Sequence, residues 1–157
     1  MIAVLTATQF EIPELRKSLT KKSHNKFHYW VGSYGMHQII SWITGIGQPS
    51  FSQLRLLPAG LKPKLVIIVG FSGAITNSVT SEKTYWIKNF STKNQPDILS
   101  SFHNNNLVDD ERLLTVEHVL LSSHDKQSTS SQNPGINLVD MESYFWVQHF
   151  EEQKIPV

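Results

Sequence analysis

The chain has 157 residues, 39% hydrophobic and 17% charged, a balance that suits one globular domain and shows no sign of disorder. Its net charge of +1 excludes a global electrostatic pull toward nucleic acid or a membrane surface. The absence of Cys excludes disulfides and thiolate zinc sites and fits a cytoplasmic location.

A domain of this length can bury about 70% of its unfolded surface. The charges are unevenly placed, with eight Lys or Arg against two acids in residues 1–64, and ten acids against three bases in residues 97–157. In one α/β domain such halves interleave, so the asymmetry does not imply a nucleic-acid-binding arm. No basic segment followed by an apolar run opens the chain, and no apolar run approaches membrane-spanning length.

In chain order, Met1 to Leu5 has the short apolar form of a central strand. Thr8-Gln9-Phe10-Glu11 follows, with Thr8 and Glu11 spaced as a capping box, and Ile12, Leu15, Arg16 and Leu19 share one side of a helix. Lys21 to Lys26 is polar and is expected to be a loop. Phe27 to Val31 and Ile39 to Ile43 are expected strands around the turn Gly32-Ser33-Tyr34-Gly35. Thr44-Gly45-Ile46-Gly47 is a glycine turn, and Pro49 and Ala59-Gly60 mark the ends of an expected helix. Leu65 to Val69 is apolar on both faces, which predicts a mid-sheet strand, and Gly70-Phe71-Ser72-Gly73-Ala74 leaves it as a loop.

Beyond it, Thr84 to Lys88 and Leu113 to Leu121 have strand character. Residues 91–111, with Asn104-Asn105-Asn106, and Ser122 to Pro134 are polar and are expected to be loops. An apolar strand from Ile136 to Val139 then enters an amphipathic helix, on which Tyr144, Val147, Gln148 and Glu151 share a face. Strands alternating with helices argue an α/β sheet with its site at the strand ends.

The segment richest in chemistry is Val139-Asp140-Met141-Glu142-Ser143, at that strand-to-helix junction. A glutamate there can accept hydrogen bonds from sugar hydroxyls while the neighbouring methionine covers the apolar ring face. The plain alternative is an acid favoured by the dipole of a helix start. Glu11 can act as a base or simply close the capping box with Thr8. Gly45 and Gly47 can present N–H groups to an anion or form a ligand-free turn. Ser72 and Gly73 can line a pocket where backbone approaches a flat ligand, or merely follow a buried strand. His24 and His28 have helical ligand spacing, but no third ligand accompanies them, so no metal site is expected.

Four segments occur in an order that resembles the purine nucleoside phosphorylase and nucleosidase superfamily: Ile2 to Ala7 followed by Glu11, Thr44 to Gly47, Val66 to Ala74, and Val139 to Ser143. The likeness is greatest to the methylthioadenosine/adenosylhomocysteine nucleosidases and the phosphorylase-like proteins of hopanoid synthesis, and it runs thinly over nearly the whole chain. It implies one α/β domain over residues 1–157, a mixed central sheet flanked by helices. It further implies a small-molecule nucleoside ligand, no cofactor, a homo-oligomer such as a dimer, and cleavage of an N-glycosidic bond through a cationic ribosyl transition state. Glu142 matches the glutamate on the ribose hydroxyls, Met141 the methionine against the sugar, and Glu11 the acid that activates water. Gly45 and Gly47 match the turn beside the nucleophile, and Ser72 and Gly73 the loop lining the nucleoside pocket. Phosphorolysis would call for arginines around the phosphate, and Arg16, Arg55 and Arg112 stand in no matching motif, so hydrolysis is favoured.

Family members continue beyond the segment matched by Ile155-Pro156-Val157 into a strand whose aspartate protonates the leaving purine, then a final helix. The sequence is therefore expected to lack the last strand and helix. Three readings stand: a nucleosidase-like protein, a shortened homologue without catalysis that serves as a ligand-binding or assembly subunit, or a piece of a longer enzyme.

Overall fold

The computed structural model describes residues 1–24, 27–48, 62–80, 83–101 and 111–157. The helix expected between Pro49 and Gly60, and the Asn104-Asn105-Asn106 stretch, lie outside the described residues. The chain divides into two compact units, Met1–Gly70 with His149–Val157, and Phe71–Gln148. Among the described residues, each unit holds one five-stranded mixed sheet.

In the first unit, β1 (Ile2–Thr6), β2 (Thr20–His24), β3 (Phe27–Tyr34), β4 (His37–Ile43) and β5 (Leu65–Val69) are arranged β2-β3-β4-β1-β5. β1 is parallel to both neighbours, with Thr6 in register with Ile43 of β4 and Val69 of β5. Ala3, Val4 and Leu5 are all buried, so both faces of β1 are covered and no polar alternation is needed. Val4, Leu19 and Ile39 form a cluster, joined by Ile2, Ile12, Leu15, Trp30 and Val69. A short helix, α1 (Pro13–Lys17), follows β1 with Pro at its start, where a missing N–H costs nothing.

Two local expectations are revised here. Lys21 to Lys26 was expected as a loop, yet Thr20–His24 is a strand, paired antiparallel with β3 from Thr20↔Val31 to His24↔Phe27. An edge strand needs no apolar alternation, and lysines there discourage pairing with another chain. β5 ends the sheet order instead of lying mid-sheet. Its outer side is not bare, because the Val66 N–H donates to Pro156 O at 2.8 Å, where a further strand was expected to begin.

In the second unit, β6 (Gly73–Ala74), β7 (Ile87–Thr92), β8 (Gln95–Leu99), β9 (Glu111–Thr115) and β10 (Leu138–Asp140) are arranged β6-β10-β9-β7-β8. β7, β9 and β10 run parallel, with Thr92 in register with Thr115, and Thr115 with Asp140. The core contains Ile75, Leu114, Ile136 and Val139, with Val116 and Leu120 packed on it. β8 occupies part of the stretch expected to be a loop; its Pro96 is tolerated because β8 is an edge strand. The expected strand Leu113 to Leu121 begins earlier and stops at Thr115, and that expected at Thr84 to Lys88 shifts to Ile87–Thr92.

Two helices complete the described chain: α2 (Ser123–Gln132) and α3 (Ser143–Glu152). α2 replaces an expected loop. It has no buried residue, and its start is held by a reciprocal cap in which Ser122 Oγ accepts from Asp125 N–H and the Asp125 carboxylate accepts from Ser122 N–H. α3 is amphipathic and buries Tyr144, Trp146, Val147 and Phe150. No helix among the described residues is long and apolar enough to cross a membrane.

Candidate functional site

At the carboxyl edge of the first sheet, β1, β4 and β5 end together, and ligands of open α/β sheets bind outside such ends. The glycine turn after β4 is stitched to the chain leaving β1. Thr44 N–H donates to Thr6 O at 2.7 Å, Thr44 Oγ1 to the same oxygen at 3.1 Å, and Gly45 N–H to Ala7 O at 3.1 Å. Gly45 and Gly47 have φ of 86° and 89°, a left-handed backbone that strains any other residue. A Cβ on Gly47 would meet nothing within 4 Å, so its conformation, not crowding, calls for glycine.

Glu11 lies at the same edge. Its Oε2 accepts the Thr8 N–H at 2.7 Å, one half of the expected capping box. The other half is absent: Thr8 Oγ1 accepts from Phe10 N–H at 3.3 Å, and the N-cap of α1 is Ile12, with no side-chain cap. Glu11 therefore closes the turn that precedes the helix. Its second oxygen, Oε1, lies 4.0 Å from where a Cβ on Gly70 would stand, next to the end of β5. The first unit thus brings together Glu11, Gly45 and Gly47 at one set of strand ends.

The second unit holds the other four predicted residues. Gly73 pairs with Val139 in the antiparallel β6–β10 ladder, and a Cβ on it would stand 3.4 Å from Val139 Cγ2. Ser72 leaves that ladder at the end where Asp140, Met141 and Glu142 leave β10, and both Ser72 and Gly73 are exposed. Met141 is half-buried and Glu142 buried. The Glu142 carbonyl accepts the Phe145 and Trp146 N–H groups at 3.2 and 3.4 Å, which makes Glu142 the N-cap residue of α3.

Asp140, which the sequence reading left without a role, anchors this junction. Oδ1 accepts the Thr115 hydroxyl at 2.6 Å and Oδ2 the Ser143 N–H at 2.9 Å, while Thr115 Oγ1 in turn accepts the Tyr144 N–H at 3.0 Å. Asp140 and Thr115 thereby take up N–H groups at the start of α3 and fix the turn that carries Met141 and Glu142. The acid was visible in the motif, but Thr115 carries no local signal because it joins through parallel pairing 25 residues away. Arg16 was also passed over; its side chain is buried against the Thr6–Glu11 segment.

Burial pushes the Asp140 carboxyl above the ordinary carboxylate range, and the hydrogen bonds from Ser143 and Thr115 oppose only part of that shift. With the folded pKa raised, the folded state holds this proton more tightly than the unfolded chain does. The stabilisation is complete below the unfolded pKa and is lost as pH rises through the folded one. The stability advantage of wild type over Asp140→Asn is therefore expected to shrink as pH rises from about 4 through the raised folded pKa. Urea midpoints across that range measure it; a difference that stays constant contradicts the assignment.

No protein-family model matches the sequence, and neither does any curated protein. Solved structures match it closely in shape. The 5′-methylthioadenosine/S-adenosylhomocysteine nucleosidase from S. pneumoniae, held with the transition-state inhibitor MT-ImmA, is 16% identical with a TM-score of 0.84, covering 99% of this chain and 81% of that one. The corresponding nucleosidase from Neisseria meningitidis, in complex with methylthio-immucillin-A, is 14% identical with a TM-score of 0.82 over 99% and 81%. A futalosine hydrolase mutant of Helicobacter pylori is 13% identical with a TM-score of 0.79 over 99% and 84%. The chain therefore has the nucleoside phosphorylase/nucleosidase fold.

Proposed function

We propose that this chain binds a purine nucleoside of the methylthioadenosine kind and hydrolyses its N-glycosidic bond. The observation that carries the reading is Asp140-Met141-Glu142-Ser143 at the carboxyl end of a parallel strand, in a chain whose fold is that of solved nucleosidases. Glu142 accepts hydrogen bonds from the ribose hydroxyls, bonds that strengthen as the ring becomes cationic. Met141 packs on the sugar, and Ser72 and Gly73 line the nucleoside pocket.

Glu11 takes a proton from the attacking water. The water oxygen bonds to C1′ as the bond from C1′ to the purine nitrogen breaks; the leaving base takes a proton from solvent water, and Glu11 gives the proton it accepted back to solvent. Gly45 and Gly47 shape the turn beside the nucleophile. The Gly45 N–H is already engaged by Ala7 O, which leaves one donor fewer for a phosphate and favours water. The reading takes residues 1–157 as a single nucleoside-binding domain that works in the cytoplasm as a homo-oligomer, with Tyr34 and Met36, 65% and 96% exposed, among the apolar side chains a second copy can cover.

Incubation with methylthioadenosine and a panel of nucleosides, followed by chromatography for free base, tests it. Release of adenine supports hydrolysis. Binding without release supports the second reading, a ligand-binding or assembly subunit without catalysis. Neither binding nor release overturns both.

A further inference from the structure

Arg16 is a costly side chain to bury: a guanidinium that is 7% exposed, whose Nε has no hydrogen-bond partner. Burial lowers its pKa, and the nearby Glu11 charge opposes that shift. A buried ionic group is weak evidence for stability, since an apolar residue of similar volume often serves as well. What Arg16 holds is more informative than what it costs. Its Nη1 donates to Thr8 O at 3.3 Å, and its Nη2 donates to Thr6 Oγ1. Thr6 Oγ1 donates to the same Thr8 oxygen at 2.9 Å. The Thr8 carbonyl is therefore clamped by two donors, one of them itself held by Arg16. On the other side of the same residue, the Thr8 N–H holds Glu11 Oε2 at 2.7 Å. The guanidinium is steadied in turn by the Trp30 ring, 5.0 Å from its centre.

We infer that Arg16 is a positioning residue for Glu11: through Thr6 and Thr8 it fixes the turn that aims the free carboxylate oxygen toward Gly70 and the nucleophile. The inference rests on the nucleosidase reading. A planar fork suits this task, because two N–H groups reach two acceptors at a fixed angle, which a lysine ammonium does not reproduce. A base displaced by about 1 Å loses about 10²-fold in rate without losing affinity for the ligand.

The test uses Arg16→Lys, which keeps the charge, and Arg16→Met, which keeps only the bulk, so that one informative variant folds. In both, kcat is expected to fall about 10²-fold with KM changed less than about threefold. Hydrogen exchange at the Thr8 amide is expected to quicken in both while amides of β1 keep their protection. In a Glu11→Gln background, adding Arg16→Lys is expected to cost nothing further, because Arg16 acts only through Glu11. An unchanged Thr8 amide overturns the inference whatever the activity. So does unchanged kcat in an active enzyme, or a double variant slower than Glu11→Gln alone. A wild type that releases no base overturns the nucleosidase reading first, and Arg16's part in the reaction with it; that failure is seen before any variant is made.

Discussion

Replacing Glu142 by glutamine is expected to lower base release by about 10²–10³-fold, equivalent to about 3–4 kcal/mol of barrier. Glutamine keeps the size and one acceptor but loses the negative charge that a ribosyl cation calls for. The loss falls mainly on kcat, because the charge on the sugar develops only as the glycosidic bond breaks. Affinity for the neutral nucleoside should fall less, by the difference between a charged and an uncharged acceptor. Glu142 is well suited to this role. It is buried, so water screens its charge little, and its backbone is fixed as the N-cap of α3 by Asp140 and Thr115. Single-turnover rates with titrated binding separate the two effects. A variant that keeps its rate within threefold would remove Glu142 from the reaction.

The largest expected effect on stability comes from Phe150→Ala, at about 3–5 kcal/mol. Phe150 is fully buried in α3, and its carbonyl accepts the Ile155 N–H at 3.0 Å, so the helix end and the chain beyond it are placed around this residue. A domain whose whole stability is about 5–15 kcal/mol would be left near its threshold. Its melting temperature should fall by roughly 10 °C or more. Leu121→Ser is the matched control: Leu121 is 87% exposed, and a change there is expected to stay within about 0.5 kcal/mol. Thermal melts of the two variants measure the contrast. Equal melting temperatures would mean that α3 does not contribute to the core as its burial implies.

The elements visible in the sequence were those whose apolar pattern is set by their surroundings. β1, β4 and α3 bury strong stripes, and each, like the half-buried β3, was found near its observed position. β2 and α2 were missed for the opposite reason. Thr20–His24 forms a strand because β3 offers it a partner, and Ser123–Gln132 is a helix held by its cap and not by an apolar face. The Ser122 and Asp125 pair was a local signal for that helix, outweighed by the polar composition. β5 showed the limit of reading apolar runs as central strands, since it ends the sheet order although its residues are uniformly apolar.

The site was partly legible in the same sense. Met141 and Glu142 could be singled out because acid, thioether and acid stand together at a strand-to-helix junction. The supports of that junction could not, because Thr115 reaches Asp140 only through the β9–β10 pairing. Glu11 was ambiguous between base and cap. The geometry shows one oxygen engaged by Thr8 N–H and the other turned toward Gly70, so a partial cap leaves one oxygen clear of that bond. Arg16 had no motif to mark it, and its contacts with Thr6 and Thr8 arise from the fold of the turn.

The central claim is that the chain binds a nucleoside more tightly as its ribose becomes cationic. Calorimetric titration of the wild type with a neutral purine nucleoside and with a mimic carrying positive charge in the ribose ring tests it most directly. Catalysis by differential binding predicts that the charged mimic binds at least about 10²-fold more tightly, and that Glu142→Gln erases most of that advantage. Equal affinity for the two ligands, or no binding of either, would contradict it.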